Sequence, residues 1–189
     1  YLKAHFPAEF MAANLSAVMD DTDKTHSLHA DALANGLKVL PPDINESYFH
    51  FTVVPEGVRF GLTAIKGLGE GAIRAIIEVR ERTGRLTSMH QLCEELDLRL
   101  VNKKVFEALV RSGACDGLVP AGVPLTAGRA TLFGAIDSAI EHGSRTQRDR
   151  DRGRGTVHRA ARAARLAGGG SARGARAALR RRRAKPTSD

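Results

Sequence analysis

The chain has 189 residues, of which 29 are Lys or Arg and 21 are Asp or Glu, so its formal net charge is +8. The charge is uneven, because residues 145–189 carry a net +12 and residues 1–144 a net −4. No apolar run approaches the ~18 residues of a membrane helix, and two cysteines are too few for a disulfide framework. We therefore expect a reduced, cytoplasmic protein in which local geometry, not overall charge, must carry any case for nucleic-acid binding.

The first 47 residues predict two helices and an extended segment. Pro7 suits the first turn of a helix that runs to about Met19. Its buried face would comprise Phe10, Met11, Leu15 and Val18. A second helix is predicted over about residues 24–35, with Gly36 as its C-terminal stop. The prolines in LKVLPPDINES exclude a helix, and residues 49–54 and 58–60 then predict a small β-hairpin around Pro55-Glu56-Gly57.

Residues 59–82, RFGLTAIKGLGEGAIRAIIEVRER, place the glycine turn Gly67-Leu68-Gly69 between two helical patterns. Before the turn, apolar residues recur every three positions, and after it they fall at i, i+3 and i+4. These residues are Leu62, Ile65 and Leu68, then Ile73, Ile76 and Ile77. Helix, glycine turn and helix are typical of a helix-hairpin-helix motif. The N–H groups and the positive dipole end of the second helix would form a phosphate site.

Two alternatives fit the same residues. Gly67, Gly69 and Ala72 match the G-x-G-x-x-A fingerprint of dinucleotide sites, but that fingerprint requires a buried strand before the first glycine, where the spacing here is helical. The other alternative is a helical hairpin that packs and binds nothing.

A second helical pair follows. Thr87-Ser88 with Gln91 predicts a capping box that opens a helix. Asn102 is expected to cap the next helix, which ends at Gly113. The buried residues would be Met89, Leu92, Cys93 and Leu96 in the first helix and Val105, Phe106, Leu109 and Val110 in the second. A Gly/Pro-rich linker is predicted over residues 116–126 and a last helix over about residues 129–141.

The chain offers no catalytic or metal-binding set of residues. The histidines do not pair with Cys93 and Cys115 at ligand spacing, so no metal site is expected. Asp20, Asp21 and Asp23 are interpreted as a helix cap and solvated surface. After about residue 152 the composition is Arg, Ala and Gly, too poor in large apolar residues to form a core. The predicted fold class is mainly α, with short helices, a small β-hairpin and a disordered basic tail over residues 145–189.

Three segments in this order resemble the bacterial C-family replicative polymerases, over roughly residues 1–152. They are YLKAHFPAEFMAANLS, then GLKVLPPDINES with RFGLTAIKGLGEGAI, and DLRLVNKKVFEALVRSGACDGL with TLFGAIDSAIEHGSRTQRDRD. The resemblance implies the end of the fingers domain over residues 1–47 and a tandem helix-hairpin-helix module over residues 48–144. It also implies part of a DNA-directed DNA polymerase, a nucleotidyltransferase of DNA replication.

The resemblance assigns DNA-backbone contacts, without sequence specificity, to two places. The first is the hairpin Lys66, Gly67, Leu68, Gly69, Glu70 and Gly71. The second comprises Asn102, Lys103 and Lys104. The catalytic aspartates of that family, which hold Mg²⁺, belong to a palm domain before Tyr1, so this segment alone should hold no cofactor and be inactive. Duplex DNA and other replisome subunits are the implied partners, and no membrane is.

Three questions stay open at this point. A free-standing, non-enzymatic helix-hairpin-helix DNA-binding protein is the alternative to a polymerase segment. An interaction scaffold that binds no DNA is the third possibility. The tail after about residue 152 departs from the resemblance, and an out-of-frame continuation of GC-rich coding sequence is our hypothesis for it.

Overall fold

A computed structural model describes residues 1–152, which are mainly α-helical with one small sheet, as predicted. Residues 1–144 form one compact unit. Residues 145–152 belong to a second unit and are helical. This corrects the disorder predicted from residue 145 onwards for those eight residues. The predicted disorder beyond residue 152, and the proposed frame change, lie outside the described residues.

The first helices are α1 (Leu2–His5), α2 (Pro7–Ala17) and α3 (Thr22–Ala34). Pro7 is the first residue of α2, as expected, because its missing N–H would have no partner there. The Asp21 side chain caps α3 by accepting the N–H of Lys24 at 3.1 Å. Gly36, with φ +75°, follows α3 as the predicted stop. The prediction missed α1 and ran α2 on to Met19, two residues beyond its end.

Three short strands form a mixed sheet in the order β1-β3-β2, where β1 is Val39–Leu40, β2 is Thr52–Val54 and β3 is Gly57–Arg59. The predicted hairpin is the antiparallel pair β2–β3, and β1 adds to β3 in parallel. A Cβ at Gly57 would lie 2.2 Å from the carbonyl oxygen of Lys38, so only glycine allows this close approach. The parallel pairing was not predicted.

The helical pairs follow as a 3-10 turn (Leu62–Ala64), α4 (Glu70–Thr83), α5 (Met89–Glu95) and α6 (Lys103–Arg111). The segment before the glycine turn is therefore a single 3-10 turn and not an α-helix. A second 3-10 turn spans Asp116–Leu118.

Within the first unit, residues 125–144 are helical, here called α7, so this helix begins before the predicted residue 129 and continues beyond 141. Its first turn is closed by the N–H of Gly128, which donates to the carbonyl of Pro124 at 2.8 Å. Only glycine fits at position 128, because Val119 fills the space that a side chain would need. The Cγ1 of Val119 lies 2.4 Å from the position of a Cβ. The linker is correspondingly shorter than predicted.

Two hydrophobic cores lie within residues 1–144. The first packs α2 and α3 against the sheet through Met11, Ala12, Leu15, Ala32, Phe51 and Val58. The second packs α4, α5, α6 and α7, and Phe106 is its largest fully buried side chain. Phe51 and Val58 belong to the first core, whereas Ile44, which precedes them in the chain, belongs to the second. The two cores therefore alternate along this part of the sequence.

The loop 43–48 is held by hydrogen bonds to α4 and to the segment that follows α4. Asn45 accepts the N–H of Leu86 at 2.8 Å and donates to its carbonyl at 3.0 Å. Buried Arg80 donates to the carbonyls of Ile44 and Ser47 at 3.1 and 2.8 Å. These bonds fix the chain that connects the two cores.

Candidate nucleic-acid interface

The glycine hairpin, residues 66–71, is an exposed turn anchored by one buried side chain. Gly67 has φ +94°, a backbone conformation that residues other than glycine rarely adopt. Leu68 is buried in the second core, as expected for the residue between the helices. Gly69 is the N-cap of α4, and no side chain caps that helix. The start of α4 therefore faces solvent without a side-chain acceptor.

Several backbone donors at this turn point to no acceptor. Within residues 1–152, the N–H groups of Gly67, Gly69, Glu70 and Gly71 make no hydrogen bond. The next N–H group, that of Ala72, donates to the carbonyl of Gly69 at 3.0 Å. Unpaired donors at the positive end of a 14-residue helix form a place where an anion is favoured.

Two of the three hairpin glycines, Gly69 and Gly71, have free space where a side chain would lie. A Cβ added at Gly69 or Gly71 would meet no atom within 4 Å. Gly69 also has an ordinary backbone, with φ −82° and ψ 155°. Gly67 is required by its positive φ, but the fold would accept a side chain at the other two positions. Glycine at both positions leaves room for the close approach of a ligand, and at Gly69 it also suits the N-cap of α4.

Two lysines from different helical pairs flank this turn. Lys66 and Lys104 are exposed, and neither has a carboxylate partner in the described part of the chain. Both line a groove of about 890 Å³, here called the hairpin groove, that also touches Gly67 and Ala108. The one acidic group of the hairpin, Glu70, pairs with Arg74 at 2.8 Å.

The second turn, residues 97–102, differs from the hairpin in its side chains and not in its backbone donors. The N–H groups of Asn102, Lys103 and Lys104 also make no hydrogen bond within residues 1–152. The Asn102 side chain accepts the N–H of Val105 at 3.2 Å, as its predicted capping role requires. Lys103 donates to Asp137 at 2.8 Å, and this hydrogen bond raises the pKa of its ammonium group. Lys103 is thus directed to α7, while Lys104 lines the hairpin groove. The structure brings Lys104 together with Lys66 and Gly67, but not Lys103.

Two further basic residues, His29 and Arg111, line the groove and were not predicted from the sequence. Arg111 lies seven residues after Lys104 on α6, so it shares the face of that helix, and this spacing was a signal that could have been used. It is paired with Glu107 at 3.7 Å. His29 comes from α3, and only the tertiary fold places it there.

The remaining titratable side chains indicate no second reactive site. Burial raises the pKa of the Cys93 and Cys115 thiols to about 12, which keeps them protonated and unreactive. Asp21 is a helix cap, as interpreted, and its hydrogen bond with Lys24 lowers its pKa. Residues 1–152 contain no group of three or more side chains suited to a metal ion. None of the helices in that range is long and apolar enough to cross a membrane.

The chain matches a known motif and is similar to a set of known proteins. Residues 36–121, which include the glycine hairpin and α6, match the family described as the helix-hairpin-helix motif. The DNA polymerase III subunit alpha of Neisseria meningitidis serogroup B is 42% identical over 143 residues, which are 75% of this chain and 12% of that protein.

Two further relatives carry the same name. The subunit of Escherichia coli K12 is 44% identical over 142 residues, or 75% of this chain and 12% of that protein. That of Haemophilus influenzae is 47% identical over 121 residues, or 64% of this chain and 10% of that protein. The chain spans a small part of each relative's length. The chain is similar to one segment of DNA polymerase III alpha subunits and carries a helix-hairpin-helix motif.

Proposed function

We propose that the glycine hairpin and Lys104 hold the backbone of duplex DNA without sequence preference, in a segment of a replicative DNA polymerase. The observation that carries this proposal is the set of unpaired N–H groups of the hairpin, beside two unpaired lysines. These N–H groups are those of Gly67, Gly69, Glu70 and Gly71. Directed N–H donors and free ammonium groups are the chemistry that recognises phosphate oxygens.

The absence of sequence preference follows from what the hairpin presents. Base edges are distinguished by side chains that enter a groove of the duplex, such as Arg, Asn or Gln on a recognition helix. The hairpin offers three glycines, a buried leucine and backbone donors. Phosphates are the same at every base pair, so we expect non-specific affinities of about 10⁻⁴ to 10⁻⁶ M with a marked salt dependence.

Glu70 provides the sharpest test of the backbone donors. It is the first residue of α4, its N–H is unpaired, and the preceding Gly69 is extended, so proline is compatible with position 70. Glu70→Pro and Glu70→Gln both remove the carboxylate, but only the first removes the N–H. A hydrogen bond to a charged group contributes about 1.5–3 kcal/mol, so the proline variant should bind duplex DNA at least about tenfold more weakly than the glutamine variant.

This comparison is best made in a protein that ends at Ser144, because residues 1–144 form one compact unit with both cores. Removing the tail also removes a charge of +12 that would bind any polyanion. Equal duplex affinity of the two folded Glu70 variants would contradict a role for directed N–H groups.

Adjacent lysines provide a second test, of charge. Lys104→Gln removes an unpaired ammonium group of the hairpin groove, whereas Lys103→Gln removes one that is paired with Asp137. Loss of one phosphate contact should lower the log–log salt slope by about 1. We expect that reduction for Lys104→Gln and a smaller one for Lys103→Gln. The reverse order would place the DNA on the α7 side.

The polymerase activity itself is proposed for a longer chain. Polymerisation requires carboxylates that hold two metal ions, and the proposal places them outside this segment. Primer extension with Mg²⁺ and nucleotides by the purified chain alone would overturn this division, and so would a strong preference for one duplex sequence.

A further inference from the structure

The small sheet has an open edge beside the hairpin groove. β1 is an outer strand in the order β1-β3-β2, and its Val39 and Leu40 line the groove. The N–H groups of Val58 and Phe60 donate to the carbonyls of Lys38 and Leu40 at 2.9 and 3.0 Å. Val39 lies between these two acceptors, so its own N–H and carbonyl point away from β3. No other residue among 1–152 pairs with them, and β1 therefore presents an unpaired peptide unit beside the groove.

The groove at this edge is large, apolar and positively charged. Its volume of about 890 Å³ lies within the range of sites that enclose organic ligands. The sheet and the two prolines after β1 form one wall, and α6 forms the other. Lys66 and Lys104 have no carboxylate partner in the described part of the chain. Glu107, the one carboxylate among the lining residues, is paired with Arg111 at 3.7 Å. The groove therefore suits a ligand that has both negative charge and apolar groups.

We propose that the hairpin groove docks an extended, acidic and apolar segment of a partner protein, which adds to the free edge of β1 as a further strand. Strand addition combines main-chain hydrogen bonds with alternate side chains that enter pockets. Acidic side chains of the segment would pair with Lys66 and Lys104, and apolar side chains would cover Leu40. The pairing is short, because Pro41 and Pro42 have no N–H and end the edge.

The free peptide unit of Val39 favours a polypeptide over a nucleic-acid strand. It offers an N–H donor and a carbonyl acceptor side by side, and another main chain supplies the complement of both. The sugar-phosphate backbone of DNA has acceptors and no N–H donor, so it would leave the Val39 carbonyl unmatched. Residues 145–189 of this chain carry a net +12, so they do not match the charge of the groove. The acidic segment therefore comes from another protein.

Docking of this segment would regulate the proposed grip on duplex DNA. Lys66 and Lys104 cannot pair with its carboxylates and with phosphates at the same time, so the two ligands would compete. This competition rests on the proposed function, whereas the docking itself does not.

The test compares two labelled ligands of the full chain that differ only in their main-chain donors. The first is a peptide of about eight residues, within the usual length of a strand, in which Asp and Val alternate. The second is its analogue with an ester oxygen in place of each N–H. Charge and side chains are the same, so the basic tail acts equally on both. We expect the peptide to bind at least about fivefold more tightly, because the analogue loses the hydrogen bond to the Val39 carbonyl and places an oxygen there.

Variants locate the docking. Leu40→Ser should weaken peptide binding while the protein keeps its fold, because Leu40 lines the groove and belongs to neither hydrophobic core. Val53→Ser is the matched control, since Val53 is an exposed residue of β2, the other outer strand. Lys104→Gln should also weaken binding, and Lys24→Gln, outside the groove, should not. If Leu40→Ser does not fold, Ser112→Phe, which adds bulk to the groove at the end of α6, replaces it.

Equal binding of the peptide and its ester analogue would overturn the proposal and leave a groove that holds any polyanion, DNA included. Peptide binding that survives both groove variants, or that is lost in Val53→Ser, would place the segment elsewhere and overturn it as well. The duplex grip is tested separately by the Glu70 variants, so either proposal can fail while the other stands.

Discussion

The two helical pairs have the same plan but differ at the N-terminus of the second helix. At the first, α4 starts at Gly69 without a side-chain cap and with unpaired N–H groups. At the second, the side chain of Asn102 caps α6, and Lys103 is paired with Asp137. Both helices leave their first N–H groups unpaired, but only α6 has a side-chain cap and an ion pair from its first turn to another helix. Under the proposed function, the copy that holds DNA is the one whose second helix has no side-chain cap.

Gly67→Val should have the largest effect on this comparison. A β-branched residue at φ +94° costs about 1–2 kcal/mol of folding free energy, and the displaced turn would carry its N–H groups away from phosphate. We expect lower stability in urea unfolding and loss of duplex binding. Gly67→Asn is the control, because asparagine tolerates a positive φ, and it should be more stable than the valine variant. Equal stability of the two variants would contradict the strain argument.

Asn102→Ala should separate stability from binding at the other turn. Removal of an N-cap side chain costs about 1 kcal/mol, so the urea midpoint should fall. The affinity of the folded protein for duplex DNA should not, because the side chain is engaged with Val105. Asn102→Asp preserves the cap and is the matched control. A loss of affinity in both variants would mean that residue 102 contacts DNA directly.

Gly71→Ala should change stability and binding in opposite directions. Glycine inside a helix destabilises it by about 0.5–1 kcal/mol relative to alanine, and a Cβ here meets no atom within 4 Å. The variant should therefore unfold at a higher urea concentration, yet bind duplex DNA more weakly because the methyl group blocks approach. A stabilised protein with unchanged affinity would show that the open side of α4 is not where DNA lies.

The smallest effect concerns Asp97 in the second turn, which accepts the N–H and the guanidinium of Arg99. These hydrogen bonds lower the pKa of Asp97 from 3.8 to about 2. A lowered folded-state pKa gives stability that is full above pH 4 and is lost as the pH falls towards 2. The carboxyl carbon of Asp97 should titrate near pH 2 by NMR, and Asp97→Asn should weaken the pH dependence of stability in this window. A midpoint near 3.8 would contradict the turn geometry.

Local features were predictable from sequence. The Ser88 cap accepts the N–H of Gln91 at 3.1 Å, and Gln91 in turn accepts the N–H of Thr87 at 2.9 Å. Asn102 and Gly36 act as the predicted cap and stop. These features depend on residues within four positions of one another, so composition and spacing are enough to find them.

Features that join distant segments were not predictable. The parallel pairing of β1 with β3 involves two residues of β1, too few for a periodic signal. The hairpin groove is formed by α3, the sheet, the glycine hairpin and α6, so no single stretch of sequence contains it. The contact of Lys103 with Asp137 spans 34 residues, and it distinguishes two adjacent lysines that look alike in the sequence.

The bonds of Arg80 and Asn45 have a consequence for how the protein opens. Arg80 is buried with no carboxylate partner among residues 1–152, and peptide carbonyls of loop 43–48 hold its charge together with the ring of Tyr48 at 4.5 Å. If the loop moved away, the guanidinium of Arg80 would lose the carbonyls of Ile44 and Ser47 while it stayed largely buried. A buried charge without partners costs free energy. Local fluctuations of the loop are therefore suppressed. The amide of Leu86 should exchange its hydrogen only when the surrounding helices unfold together.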